Sequence, residues 1–356
     1  SKVGYADPIT TALAGSPRIA KTATLAPSKS SIKVSPVSET RSPQRPFDAL
    51  MLQAGDGHWL YVEQCGRRDG VPVVFLHGGP GSGAQHAHRE LFDPARYHAI
   101  LFDQRGAGRS HPYLSCDANS TAHQIADIER IRVYFGIERW LVVGGSWGST
   151  LGLAYAETHP ERVAGLILRA IFLGTEAEIE WAFVDGPQRF RPELYRAFVH
   201  ELPVAERKDP LAAYIIRLRD PDPAIHGPAA LVWNAYERAL SELVPTSPAL
   251  PERAAAKVAR IPPTPIMEAH YISHRFFLRP GQLLDEAWRL GGIPGVLVQG
   301  RYDLLCPPAA AEAVAAAWGS QCRLRYVERA GHAMTEPGVL EALRATLHTI
   351  ARQVFA

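Results

Sequence analysis

Six short runs constrain this chain more than any other feature of its sequence: Val71 to Leu76, His98 to Phe102, Trp140 to Val143, Val163 to Leu168, Gly295 to Val298 and Leu324 to Val327. In all but the last, apolar residues fill consecutive positions rather than alternate ones. A strand with one wet face alternates, because successive side chains point to opposite sides of the sheet; a strand that does not alternate needs cover on both sides. Helical patterns separate several of the runs, with Ile125, Ile128, Ile131, Val133 and Phe135 ahead of the third, Leu151 to Tyr155 behind it, and the Ala-rich stretch Ala309 to Trp318 ahead of the last. This alternation predicts an α/β fold, a doubly wound and mostly parallel sheet with helices on both faces.

At 356 residues the chain is longer than one compact core usually needs. The surplus lies in two places. Between the run ending at Leu168 and the one starting at Gly295 there is no good strand candidate, only Pro-punctuated amphipathic patterns such as Leu194, Phe198 and Val199, or Ala230, Leu231, Trp233, Tyr236 and Leu240. These predict a helical cap over 173–290, inserted between core segments at 47–172 and 291–356 and lying as a lid over the carboxyl ends of the strands. The second surplus is residues 1–46, with eight Ser, five Thr, six Pro and one aromatic, Tyr5. Such a stretch cannot bury enough apolar area to offset its ordering entropy, so it is expected to be disordered. Its makeup is transit-peptide-like, and an inert extension is the plainer reading. After it, Asp48 to Gln53 and His58 to Gln64 flank Gly55-Asp56-Gly57, the signature of a β-hairpin.

Charge divides at the same boundary. Residues 1–46 carry seven Lys/Arg against Asp7 and Glu39, a balance of +5 within a net +2, so the body is at −3 and has no electrostatic footprint for nucleic acid. No apolar run approaches the roughly 18 residues that cross a bilayer. Four Cys without a C-x-x-C pair suit neither a disulfide scaffold nor a zinc ribbon and fit a reducing, cytoplasmic compartment. His86-x-His88 and His270-x-x-x-His274 lack a third ligand, and the expectation is no metal and no cofactor.

The chemistry is announced by Gly144-Gly145-Ser146-Trp147-Gly148, which follows the strand at Trp140 and precedes a helix beginning near Ser149. In that context G-x-S-x-G makes a strained elbow that exposes a nucleophilic Ser146. A serine hydroxyl needs a base, and the base needs an orienting acid, each at a strand end in the order Ser, acid, His. Asp303 after one late strand and His332 after the last fall where this requires them. The oxyanion needs two backbone N–H donors, one from the residue after the nucleophile, Trp147, and one from the loop His77-Gly78-Gly79-Pro80-Gly81, for which Gly79 is the candidate. His77 itself, and Asp103-Gln104-Arg105-Gly106, read as loop-shaping residues.

His77-Gly-Gly-Pro-Gly81, Asp103-Gln-Arg-Gly-Ala-Gly-Arg-Ser110, Gly144-Gly-Ser-Trp-Gly-Ser-Thr150, Gly300-Arg-Tyr-Asp303 and Gly331-His332 together resemble the proline iminopeptidase (prolyl aminopeptidase) family of α/β-hydrolases, from about Leu50 to the C-terminus. The resemblance implies an α/β-hydrolase fold and a serine exopeptidase acting on peptides with a free N-terminal proline. It also implies that carboxylates in the cap hold the charged terminus. Trp233-Asn-Ala-Tyr-Glu237 and Glu268-Ala-His270-Tyr271 match those segments, making Glu237 and Glu268 the matching acids, while Phe172 and Cys306 match positions lining the prolyl pocket. The chain departs from the family pattern at Tyr236 (for Trp), Ala170 (for Gly), Ala269 (for Asn) and Ala182 (for an aromatic), all in or near the cap, which predicts a roomier pocket. The alternatives are an esterase or amidase acting on small neutral substrates, and a hydrolase-like binding protein without activity.

Overall fold

The computed structural model describes residues 31–33, 45–247, 250 and 260–355. Among them nine strands form one sheet: β1 Ser31–Lys33, β2 Asp48–Gly55, β3 His58–Gly66, β4 Val71–Leu76, β5 Tyr97–Phe102, β6 Trp140–Ser146, β7 Val163–Ile171, β8 Gly295–Gly300 and β9 Cys322–Val327, in the order β1-β2-β3-β5-β4-β6-β7-β8-β9. The first four in that order pair antiparallel; from β5 onward all pairs are parallel. All six apolar runs are strands. Their continuity has a direct cause: Val74 and Leu76 pack into the layer beneath helices α1 (Thr121–Tyr134), α2 (Trp147–Thr158) and α7 (Pro308–Trp318), whereas Val73 and Phe75 pack into the opposite layer beneath α8 (Val339–Val354). The last run differs. β9 is the sheet edge and alternates, with Arg323 and Arg325 exposed, because only one neighbour and one face cover it.

The β2–β3 hairpin turns at Gly55, Asp56 and Gly57, all left-handed at φ 86°, 53° and 79°, a conformation in which glycine is unstrained. On its outer edge lies a correction. Ser31–Lys33, within the segment expected to be disordered, pairs with Leu52, Met51 and Leu50. Ile32 remains 58% exposed, so pairing and not burial holds the strand: the open edge of β2 offers unpaired main-chain groups, and Ser31 Oγ and the Tyr134 hydroxyl are hydrogen-bonded at 2.9 Å. The remainder of that segment up to residue 44 lies outside the described residues.

Between β7 and β8 the described residues contain helices and turns but no strand, the longer helices being α3 Pro192–His200, α4 Pro210–Leu218, α5 Pro223–Ser241 and α6 Pro263–Ser273. Their inward faces meet around stacked rings, with Phe198 between Tyr214 (4.1 Å) and Tyr236 (3.9 Å) and Trp233 against Phe183 (4.3 Å). Tyr236, where the family resemblance expects Trp, thus packs inside the helical layer and not against the site. No helix among the described residues is long and apolar enough to cross a membrane.

Candidate active site

Ser146 ends β6 and caps α2 with φ 57° and ψ −128°, a conformation costing about 1–3 kcal/mol that persists only where the surroundings impose it. Here they do. A Cβ on Gly144 would lie 2.2 Å from the Gly148 carbonyl oxygen, and one on Gly148 would lie 2.1 Å from that of Leu76, so strand and helix approach closely only as glycines. Ser149 Oγ donates to the Ser146 carbonyl (2.7 Å) and accepts from the Phe172 N–H (3.1 Å), pinning the elbow to the end of β7. The start of α2 points free N–H groups and its positive dipole end at this spot.

His332 Nδ1 lies 3.0 Å from both oxygens of Asp303, and Asp303 also accepts the Leu305 and Cys306 N–H groups at 3.1 and 2.8 Å. An acceptor on the Nδ1 side places the proton there and leaves Nε2 as the basic nitrogen. The loop carrying His332 is held from two directions: the His332 and Ala333 N–H groups both donate to the carbonyl of Ser241 at the end of α5, and the His332 carbonyl accepts from Arg169 Nη1 at 2.8 Å. The Cys306 thiol lines the same cavity as Ser146, and burial, with Asp303 nearby, pushes that thiol well above its ordinary range. Among the described residues no hydrogen bond joins Ser146 Oγ to His332. Catalytic hydrogen bonds are commonly loose without substrate.

Gly79 sits at φ 104° in the loop after β4. Beneath it, His77 is fully buried; its Nε2 accepts the Gln104 N–H (3.0 Å), so the proton is on Nδ1, 3.0 Å from the Gly78 carbonyl. The Gln104 side chain accepts from Trp147 Nε1 at 2.8 Å and donates from Nε2 to the His77 carbonyl at 2.9 Å, tying both candidate oxyanion segments to one side chain. Burial holds His77 below its usual pKa, consistent with a neutral brace. Arg105 spans Asp127 (2.7 Å), Asp56 (3.2 Å) and the carbonyls of Ala54 and Ala118, so the loop after β5 does structural work, as its sequence suggested.

Ser146 opens into a cavity with ≈ 390 Å³ of empty space, including the part that opens to solvent, lined by Gly79, Pro80, Phe172, Ile179, Ala182, Glu237, Glu268, Ile272, Phe276, Leu305 and Cys306. The candidate nucleophile, both cap acids and both candidate pocket residues therefore share one space. Glu268 is buried and accepts from Trp233 Nε1 at 2.6 Å. Its carboxyl is hydrogen-bonded to that of Glu237, and desolvation raises both, Glu268 furthest because Glu237 adds repulsion, while Glu237 faces His332. Two carboxyls held together away from water resist ionising at once, so the pair takes up a proton more readily than an exposed glutamate does. Ala182, where the family resemblance expects an aromatic, is in the wall.

Sequence reasoning missed Ile179, Ile272, Phe276 and Leu305 in the wall, which carry no signal beyond being apolar. Phe276 enters from a left-handed turn, Arg275 to Phe277 at φ 50°, 53° and 53°. It also missed Arg169, whose signal was present: a cation in an otherwise apolar strand, just before its end.

A family model described as alpha/beta hydrolase fold matches residues 71–336. A proline iminopeptidase of Xylella fastidiosa (strain Temecula1 / ATCC 700964) is 43% identical over 303 residues, 84% of this chain and 95% of that protein. One from Arabidopsis thaliana is 40% identical over 304 residues, 84% of this chain and 78% of that protein. Among solved structures, a proline iminopeptidase of Mycobacterium smegmatis superposes with a TM-score of 0.57 at 20% identity, covering 86% of this chain and 98% of the other, a likeness of fold.

Proposed function

This chain belongs to the proline iminopeptidase family of α/β-hydrolases and is a serine-type prolyl aminopeptidase acting on peptides, and on that premise we propose how its residues release an N-terminal proline. Ser146 Oγ attacks the prolyl carbonyl while His332 Nε2 takes the hydroxyl proton. The N–H groups of Gly79 and Trp147 hold the oxyanion. His332 returns the proton to the departing amine as the C–N bond breaks, leaving a prolyl ester on Ser146. Water, deprotonated by His332, attacks that ester, and Ser146 recovers its proton as proline leaves. Asp303 keeps the imidazole oriented and balances the imidazolium. No step requires a cofactor.

The observation that carries this reading is the carboxyl pair Glu237 and Glu268 in the cavity of Ser146. A desolvated site with negative charge favours a terminal ammonium and leaves its own acceptors unpaired when the terminus is blocked. Phe172, Cys306 and the apolar wall receive the ring. The helical segment between β7 and β8 acts as the cap, and four free thiols support a cytoplasmic setting.

Hydrolysis of Pro-, Ala- and N-acetyl-Pro-naphthylamide by wild type, Ser146→Ala and Glu268→Gln tests the proposal. Ser146→Ala should lower kcat/KM by about 10⁴-fold or more, since the triad acts as a unit. Glu268→Gln should cost about 10- to 100-fold on the free prolyl substrate and little on the blocked one. Equal cleavage of acetyl-Pro and Pro by wild type would favour the esterase or amidase reading instead.

A further inference from the structure

Arg169 is the only charged residue of β7 and pairs in register with Gly145 of β6. Its side chain lies across Gly145: a Cβ there would stand 2.6 Å from Arg169 Cγ and Nε and 2.7 Å from Cζ. The guanidinium then reaches the loop after β9, where Nη1 donates to the His332 carbonyl at 2.8 Å. Among the described residues Arg169 forms no ion pair. The charged and titratable groups around it are Asp303, Cys306 and His88, while His332 is hydrogen-bonded to Asp303 and has Glu237 nearby. A cation without a carboxylate partner at the end of a covered strand is expensive, and fold stability alone gives no reason to keep it.

We propose that Arg169 is a positioning residue that bridges the elbow carrying Ser146 to the loop carrying His332, holding base and nucleophile in one frame. The same bridge explains the second glycine of the elbow: Gly145 has no side chain because Arg169 fills its place. In the attack step His332 Nε2 must stand within hydrogen-bond reach of Ser146 Oγ, and a displacement of about 1 Å costs on the order of 100-fold in rate. Arg169 touches neither reacting atom. It limits that displacement by fastening the base's main chain to the strand beside the nucleophile, while Ser241 holds the same loop from the cap.

The inference rests on Ser146 and His332 being nucleophile and base, so Ser146→Ala and His332→Ala are measured alongside; activity in either would sink that reading whatever Arg169 does. With Pro-naphthylamide, Arg169→Ala should lower kcat about 10- to 100-fold and leave KM within about twofold, because the carboxyl pair and pocket wall are untouched. Arg169→Lys should fall between, and added methylguanidinium should restore part of the Arg169→Ala loss. Gly145→Ala, which displaces the guanidinium without removing it, should lose a similar factor, and the double variant should be no slower than the worse single one. Should Arg169→Ala fail to fold, Arg169→Lys and Gly145→Ala decide the matter on the same split. A kcat for Arg169→Ala within about threefold of wild type, a loss confined to KM, or additive losses in the double variant would overturn the bridge.

Discussion

Ala170 shows how local a departure from a family pattern can be. It lies one residue past Arg169 with φ 47°, 2% exposed, in a left-handed conformation that costs a Cβ-bearing residue about 1–2 kcal/mol. The family resemblance expects glycine there, and the backbone has kept the conformation glycine would adopt. Ala170→Gly should therefore stabilise the protein, by about 0.5–1 kcal/mol once the extra freedom of glycine in the unfolded chain is subtracted. The midpoint of a urea titration at constant slope reads this, and a lowered midpoint would refute it. Ser146 is strained in the same φ range, but its strain presents the hydroxyl, so it has no such remedy.

Helix α2 is buried from Trp147 through Glu157, as a helix beneath the middle of a parallel sheet must be, and Glu157 bears the cost. Both its carboxylate oxygens are buried without a partner, and burial, with Glu286 adding repulsion, pushes its pKa up to about 9. Between pH 4.5 and 9 the folded chain keeps a proton that the unfolded chain releases, so stability falls as pH rises through that window. Glu157→Gln removes the dependence. It should stabilise on the order of a few kcal/mol at pH 8 and little at pH 5, and thermal melts of both proteins at the two pH values check this. An equal gain at both would mean that the carboxyl is not the cause. Nothing in the sequence separates Glu157 from an exposed helical Glu. What was legible were features whose physics is local: the unbroken apolar runs, the Gly-Asp-Gly hairpin and the elbow glycines. The short β1, the left-handed turn at Phe276 and the bridge from Arg169 each depend on a partner far along the chain. For that reason Ser146, Asp303 and His332 could be picked out from strand ends as candidates, while the residues packed around them could not.

The two halves of the site belong to different parts of the molecule. Ser146, Asp303 and His332 stand on the sheet; Glu237 and Glu268 come from α5 and α6 above it. Since both carboxyls are raised, the pair loses its last negative charge on acidification at a pH where an exposed glutamate is still ionised. The KM for a prolyl substrate should therefore rise as pH falls, before ordinary carboxylates titrate, and Glu237→Gln should flatten that rise. Measuring KM against pH for Pro-naphthylamide with both proteins decides this; identical profiles would show that the pair does not hold the ammonium. The carbonyl of Ser241 adds a mechanical link, for it closes the helix bearing Glu237 and accepts the N–H groups of His332 and Ala333. A cap that swings aside for a peptide would carry this acceptor away and unseat the base. Admission and bond cleavage would then be interlocked like a chamber and its door: while the door is open peptides enter and proline leaves, and the hydrolytic machinery engages only when it shuts.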